Sequence, residues 1–344
     1  MARPASILRA VAGLVLLAGT SLAAPPRRLS PRAAGGQTVV YWGQNGGGGA
    51  VENNDLAAYC TGQAGIDIVV LAFLYQFGNG NKVASGSFGR SCVITPAGEG
   101  QNCDDLARAI DTCKANGVKV ILSLGGAAGT YALTSQEEAE AVGQSLWDAY
   151  GTPGGGGGGP AAPPTPRPFG KTFVDGWDFD IETSSGSNYY PFLIAKLRSN
   201  FAAGARFLIT GAPQCPVPEP NMNAIIAGAQ FDYLWVQFYN NPGCSVDGPI
   251  NYDAWKANVA NTPSARASIF IGVPASPLGA TGTAAGARYY LEPGQLAALV
   301  ARYSGDGAFG GVMMWSAAFS DANVNNGCTY AQQAKRILTT GQAC

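Results

Sequence analysis

Eight short apolar runs recur along this chain, and segments of a different character separate them. They read TVVYWGQ, IDIVVLAFLYQF, KVILSLGG, GWDFDIE, RFLITGAP, YLWVQFYN, SIFIGVPAS and GGVMMWS, all beyond residue 36. Near-continuous Val, Ile and Leu mark strands buried on both faces, as in a parallel sheet covered by helices. Between them, CDDLARAIDTCKANG, SQEEAEAVGQSLWDAYG and NYYPFLIAKLRSNFAAG carry helical periodicity. Eight such units over about 300 residues predict an α/β fold of one domain, a closed (β/α)8 TIM barrel, over an open doubly wound sheet.

Two stretches stand outside this rhythm. The first 23 residues have Arg3 and Arg9, an apolar run from Val11 to Ala18, and small residues at Ser21 and Ala23. That is the pattern of a secretory signal peptide, and the run is too short to span a bilayer. Residues 24–35 are basic and proline-rich, a segment expected to be processed or disordered. Loss of residues 1–34 would remove five arginines and no acid, taking the net charge from −1 to −6. The second stretch, GTPGGGGGGPAAPPTPRP at 151–168, reads as a disordered insertion. It is not an interdomain linker, because the strand rhythm resumes beyond it. The barrel domain is therefore expected over 36–344.

Composition removes several chemistries. The chain contains no histidine, which excludes Ser-His-Asp and Cys-His catalysis and histidine-based metal sites. Its eight cysteines include no Cys-x-x-Cys pair, so they read as disulfides of an extracellular protein rather than as metal ligands. Neither a metal nor a cofactor is expected. The small net charge gives no support for nucleic acid or a membrane as partner. GQNGGGG and GGAAG follow strands but lack the residues of a phosphate loop. No N-x-[ST] glycosylation sequon occurs.

Only 12% of the residues are charged, yet VDGWDFDIE (174–182) crowds acids together. Trp177, Phe179 and Ile181 alternate with Asp178, Asp180 and Glu182, so the three acids share one face of a strand. Inward barrel positions are normally branched aliphatics, and a buried unpaired carboxylate costs several kcal/mol. A salt-bridge cluster would need basic partners, but the other strands offer only Lys119 and Arg206, both at the opposite end. The acids therefore point to function. Other strand ends are polar or aromatic too: Tyr41, Gln44, Phe73, Tyr75, Ser123 to Gly126, Gln237 to Asn240, and Trp315. Taken singly, the aromatics would read as core packing.

Spacing constrains the mechanism. Residues two apart on a strand lie about 6.6 Å apart on the same side. Asp180 therefore cannot readily attack a sugar from the face opposite Glu182, as the second carboxylate of an ordinary retaining glycosidase does. A glycoside hydrolase built on this strand would need another nucleophile.

The motif DGWDFDIE resembles the D-x-x-D-x-D-x-E signature of family 18 glycoside hydrolases, the chitinases, and SLGG at 123–126 is similar to the S-x-G-G element of their third strand. YWGQN, LAFLYQFGNG, APQCP, WVQFYNNPGC and GVMMWS look like the plant and fungal class III, hevamine-like branch, over residues 36–325. The resemblance implies endo-acting, retaining hydrolysis of β-1,4-linked N-acetylglucosamine, with the substrate's 2-acetamido oxygen as nucleophile. It gives Glu182 the role of general acid and Asp180 that of orienting the acetamido group. Asp178 would share a proton with Asp180, and Tyr239 would hydrogen-bond the acetamido carbonyl. Trp315 would floor the sugar, with Tyr41, Phe73, Gly126, Gln237 and Asn240 lining the cleft. Asp175, at the strand entrance, reads as structural.

The same resemblance implies non-proline cis peptides at Ala72–Phe73 and Trp315–Ser316. It also implies disulfides Cys60–Cys113, Cys92–Cys103 and Cys215–Cys244, which leaves Cys328 with Cys344. The expected protein is a secreted monomer acting on chitin or chitooligosaccharides. The family also includes lectins, glycosidase inhibitors and endo-β-N-acetylglucosaminidases, which stand as alternatives. The insertion, the basic segment and the tail around Cys328 depart from the family pattern.

Overall fold

The computed structural model describes residues 1–2, 35–44, 49–154 and 165–344. The chain divides into residues 1–32 and 33–344, and every element below belongs to the second unit. The expected signal peptide after residue 2, the basic segment up to residue 34, and positions 155–164 of the insertion lie outside the described residues.

Eight parallel strands close a barrel: β1 (Gln37–Trp42), β2 (Ile68–Gly78), β3 (Lys119–Gly125), β4 (Gly176–Asp180), β5 (Leu208–Gly211), β6 (Tyr233–Gln237), β7 (Ser268–Pro274) and β8 (Phe309–Trp315). Each pairs with the next in sequence, and β8 returns to β1. The TIM barrel read from the sequence is the fold. Around it lie α1 (Asp104–Ala115), α2 (Gln136–Tyr150), α3 (Tyr190–Ser199), α4 (Asn223–Gly228), α5 (Tyr252–Val259), α6 (Pro293–Tyr303), α7 (Ala317–Ala322) and α8 (Tyr330–Thr340). No α-helix follows β1 among the described residues, only a 3-10 turn at Leu56–Cys60. Local chemistry sets the helix ends. Ser135 accepts the Glu138 amide at the start of α2, and Thr329 with Gln332 forms a reciprocal capping box on α8.

Apolar residues separate into two cores. The larger lies between strands and helices. The smaller fills the barrel with residues that include Val39, Ile68, Val70, Ile121, Trp235, Phe270 and Met313. One excursion interrupts the strand–helix alternation. Antiparallel strands at Asn81–Phe88, Cys92–Ile94 and Gly100–Gln101 extend β2 before α1 begins. The sequence reading missed them because their Gly- and Ser-rich segments carry no sustained apolar run.

A repeated clamp ties the strand entrances together. Asp67, Asp175 and Asp232 stand one residue before β2, β4 and β6. Their carboxylates accept the backbone N–H of Thr38 (2.8 Å), Val120 (2.8 Å) and Ile209 (2.9 Å), each on the preceding strand. Each also pairs with a cation: Lys335 (2.6 Å), Lys114 (3.8 Å) and Arg198 (2.9 Å). Asp175 thus holds a structural position.

The insertion enters β4 at the end opposite Glu182. Arg167 fastens its base, donating to the carbonyls of Asp148, Gly151 (2.7 Å) and Gly170 (2.8 Å). Disulfides join Cys60 to Cys113, Cys92 to Cys103, Cys215 to Cys244 and Cys328 to Cys344. Peptide mapping without reduction is expected to recover these four pairs, and a thiol label reacting at Cys344 would contradict the last. The Cys60–Cys113 bond spans 53 residues. Replacing both cysteines should lower stability by about 2–4 kcal/mol, read as a fall in Tm.

Candidate active site

The two faces of β4 fix where its acids point. Trp177 packs on Trp147 and Phe201, and Phe179 meets Tyr190 and Phe231 edge-on. With these rings committed to the outer core, Asp178 and Asp180 face the barrel interior, 0% and 5% exposed.

Asp178 accepts four hydrogen bonds from four different strands. Tyr41 Oη (2.7 Å) and Ser123 Oγ (2.6 Å) donate to Oδ2, while Thr210 Oγ1 (2.7 Å) and Trp235 Nε1 (3.0 Å) donate to Oδ1. Burial raises its pKa above the usual carboxylate range, and these donors oppose the rise. All are neutral. Both lone-pair regions of the carboxylate are filled, which suits the ionised form.

Asp180 is held differently. Gln237 Nε2 donates to its Oδ1 at 3.0 Å and to the Ala212 carbonyl at 2.9 Å. Burial drives the Asp180 carboxyl well above the usual range, and the charges of Glu182, Asp178 and Glu219 drive it further. Of the two aspartates, both raised, Asp180 is raised the more strongly. Glu182, half-buried two residues past the end of β4, is raised by burial and by Glu219, with Gln237 opposing. A neutral carboxylic acid at the barrel mouth can donate a proton.

Tyr239 lies two residues beyond β6 rather than within it. Burial raises its phenol, and the Asp180 and Glu182 charges add to that, so it remains a hydrogen-bond donor. Trp315 stacks on Phe73 with centroids 6.0 Å apart and lies 5.6 Å from Tyr41, giving one aromatic surface. Gly126 lies under the Phe73 ring, where a Cβ would approach to 3.0 Å, and its φ of +88° suits glycine.

Three expected cleft residues also bond within the protein. The Tyr41 hydroxyl donates to Asp178 and accepts from Trp235 at 2.9 Å, while the Gln237 amide serves Asp180. Asn240 donates to the Ala280 carbonyl at 2.7 Å, tying together the loops that follow β6 and β7. Sequence reasoning did not single out Thr210, Trp235 or Glu219. Glu219 is 2% exposed and accepts the amides of Gln214 (3.2 Å), Asn221 (2.6 Å) and Met222. A single acid in PVPEPN gives no periodic signal.

Comparison with known proteins agrees with this geometry. The chain matches the profile described as Glycosyl hydrolases family 18 over residues 37–298. It is 58% identical over 305 residues to endochitinase 2 of Metarhizium robertsii, covering 86% of this chain and 71% of that one. A chitinase structure from Ipomoea carnea superposes with TM-score 0.68 at 31% identity, over 87% of this chain and 99% of the other. A xylanase and α-amylase inhibitor from Scadoxus multiflorus does so equally well, with TM-score 0.68 at 31% identity over 88% and 98%. With a family profile across most of its length and the acids of β4 gathered at the mouth of a TIM barrel, this chain belongs to glycoside hydrolase family 18.

Proposed function

We propose that this protein is a secreted, endo-acting chitinase that cleaves β-1,4 linkages between N-acetylglucosamine residues, with retention and with help from the substrate itself. One observation carries the mechanism. Asp180 ends β4 and Glu182 follows two residues on, so the two acids stand on the same side, and Glu219, whose charge also reaches Glu182, is bound by three backbone amides. This arrangement favours a nucleophile supplied by the substrate.

In this reading Glu182 gives its proton to the glycosidic oxygen as the acetamido oxygen bonds to the anomeric carbon and the C1–O bond breaks. Asp180, with Tyr239, orients the acetamido group and stabilises the oxazolinium. The Glu182 carboxylate then takes a proton from water as that water opens the ring, restoring the acid. Two inversions leave the product in the β configuration. The Asp178 dipole cluster fixes a negative charge below Asp180, favouring the positive intermediate above it. Trp315 and Phe73 supply an apolar floor. Secretion fits the N-terminal apolar run and the four disulfides.

The inhibitor structure of the same fold supports a second reading, a carbohydrate-binding or inhibitory protein without turnover. Incubation with chitin oligomers, xylanase, α-amylase and N-glycans, with products identified, separates these alternatives. Glu182→Gln is expected to preserve oligosaccharide binding while lowering turnover about 10²–10⁴-fold, the contribution of general acid catalysis. Near-normal turnover would remove Glu182 from its role.

Charge makes a further prediction. The acid form of Glu182 is the active one, so kcat/KM should fall as pH rises through a pKa above the free glutamate value of about 4.3. Because Asp180 and Glu182 bind protons more tightly when folded, stability should decline over the same rise. Asp180→Asn and Glu182→Gln should therefore raise Tm at neutral pH, with the gain vanishing near pH ~4. A Tm unchanged or lowered at pH 7 counts against this electrostatic account. Finally, on partly acetylated chitosan every new reducing end should be N-acetylated. Frequent glucosamine there would mean that a protein group attacks directly.

A further inference from the structure

The strand that carries the acids ends before the residue that matters most. β4 stops at Asp180, so the peptide of Glu182 has left the ladder that aligns the rest of the strand. Its neighbour β3 cannot follow it, because the chain turns at Gly125 and Gly126 with φ of 112° and 88°. The Gly126 amide still donates to the Asp180 carbonyl at 2.8 Å. The next amide, that of Glu182, turns instead to a side chain. Tyr131 Oη accepts the Glu182 N–H at 3.0 Å and donates to the Gly126 carbonyl at 2.9 Å. One hydroxyl thus supplies both halves of a missing rung between β3 and β4.

The ring behind that hydroxyl is rigidly seated. Tyr131 is 5% exposed and lies face to face with Phe77, centroids 5.2 Å apart and planes 9° apart. Its strand, Thr130–Ala132, pairs with the far end of β2. Burial holds the phenol far above its usual pKa, so it donates at any working pH. The glutamate backbone is therefore referenced to the barrel through Tyr131 rather than through its own strand.

We infer that Tyr131 is a positioning residue for the general acid, its hydroxyl bridging the Glu182 amide to the Gly126 carbonyl and so setting the carboxyl against the glycosidic oxygen. This rests on the reading of Glu182 as the acid. Loss of the bridge lets the residue drift, and displacement of a reacting group by about 1 Å can cost about 10²-fold in rate. Substrate contacts elsewhere in the cleft are untouched.

The test is Y131F assayed on two substrates. On chitin oligomers kcat should fall about 10- to 100-fold while KM stays within about twofold. On a dinitrophenyl chitobioside, whose leaving group departs without a proton, kcat/KM, which reports bond cleavage and not the later Glu182-assisted ring opening, should stay within about threefold of the parent protein. Equal loss on both substrates would show a merely structural role, and no loss on either would show none; both overturn the inference. E182Q run in parallel should share the selectivity for the activated substrate. If the parent protein fails to cleave chitin oligomers the chitinase reading falls, and if kcat/KM of E182Q is equally impaired on both substrates the reading of Glu182 as the acid falls. Should Y131F prove too unstable to purify, 3-fluorotyrosine at position 131, a weaker acceptor for the Glu182 amide, should shift the two-substrate ratio in the same direction. An unchanged ratio would overturn the inference.

Discussion

A carboxylate in a barrel interior can carry charge only if dipoles replace the water it has lost, and Asp178 has no cation among its partners. Its four donors come from β1, β3, β5 and β6, so they meet at one point only when the barrel is closed and every strand is in register. Closure and charge are thus mutually dependent. A strand that slipped by one residue would turn its donor outward and leave the carboxylate unsatisfied. The same donors cost no reorganisation when positive charge forms above them, which is the condition for electrostatic catalysis.

The clamp cations stand at the other end. Lys335, Lys114 and Arg198 sit at the strand entrances, each on a clamp aspartate. A lysine near Glu182 would favour its ionised form and leave it unable to donate a proton. Burial and Glu219 act on Glu182 in the opposite sense, as burial and the Glu182, Asp178 and Glu219 charges do on Asp180. The barrel axis therefore separates two ways of handling negative charge: paired with cations where stability is needed, and left unpaired where protons must be held.

The sequence revealed what was periodic and hid what was relational. Eight apolar runs announced the barrel, and the alternation in WDFDIE placed three acids on one face, because both patterns are local. Thr210 and Trp235 were invisible as donors, since a hydroxyl or an indole in an apolar strand reads as packing until register is known. Tyr41 and Gln237 were legible as polar strand ends but not as partners of the acids. Sequence does not say whether a polar group faces a ligand or a neighbour. Tyr131 reaches Glu182 across 51 residues, beyond any spacing rule. The excursion after β2 was missed because it presents no long amphipathic or apolar run.

The Arg167 stitch bears on how this barrel can change. Because the guanidinium joins Gly151 to Gly170, chain added between them closes a loop whose ends are already held together. The entropy of closure then grows only logarithmically with added length. The junction also lies at the end of the barrel away from the acids. Inserted sequence there meets little thermodynamic resistance and has no direct route to the chemistry, which makes the α2–β4 connection a natural port for grafting: new binding segments could be gained or lost without retuning the enzyme beneath them.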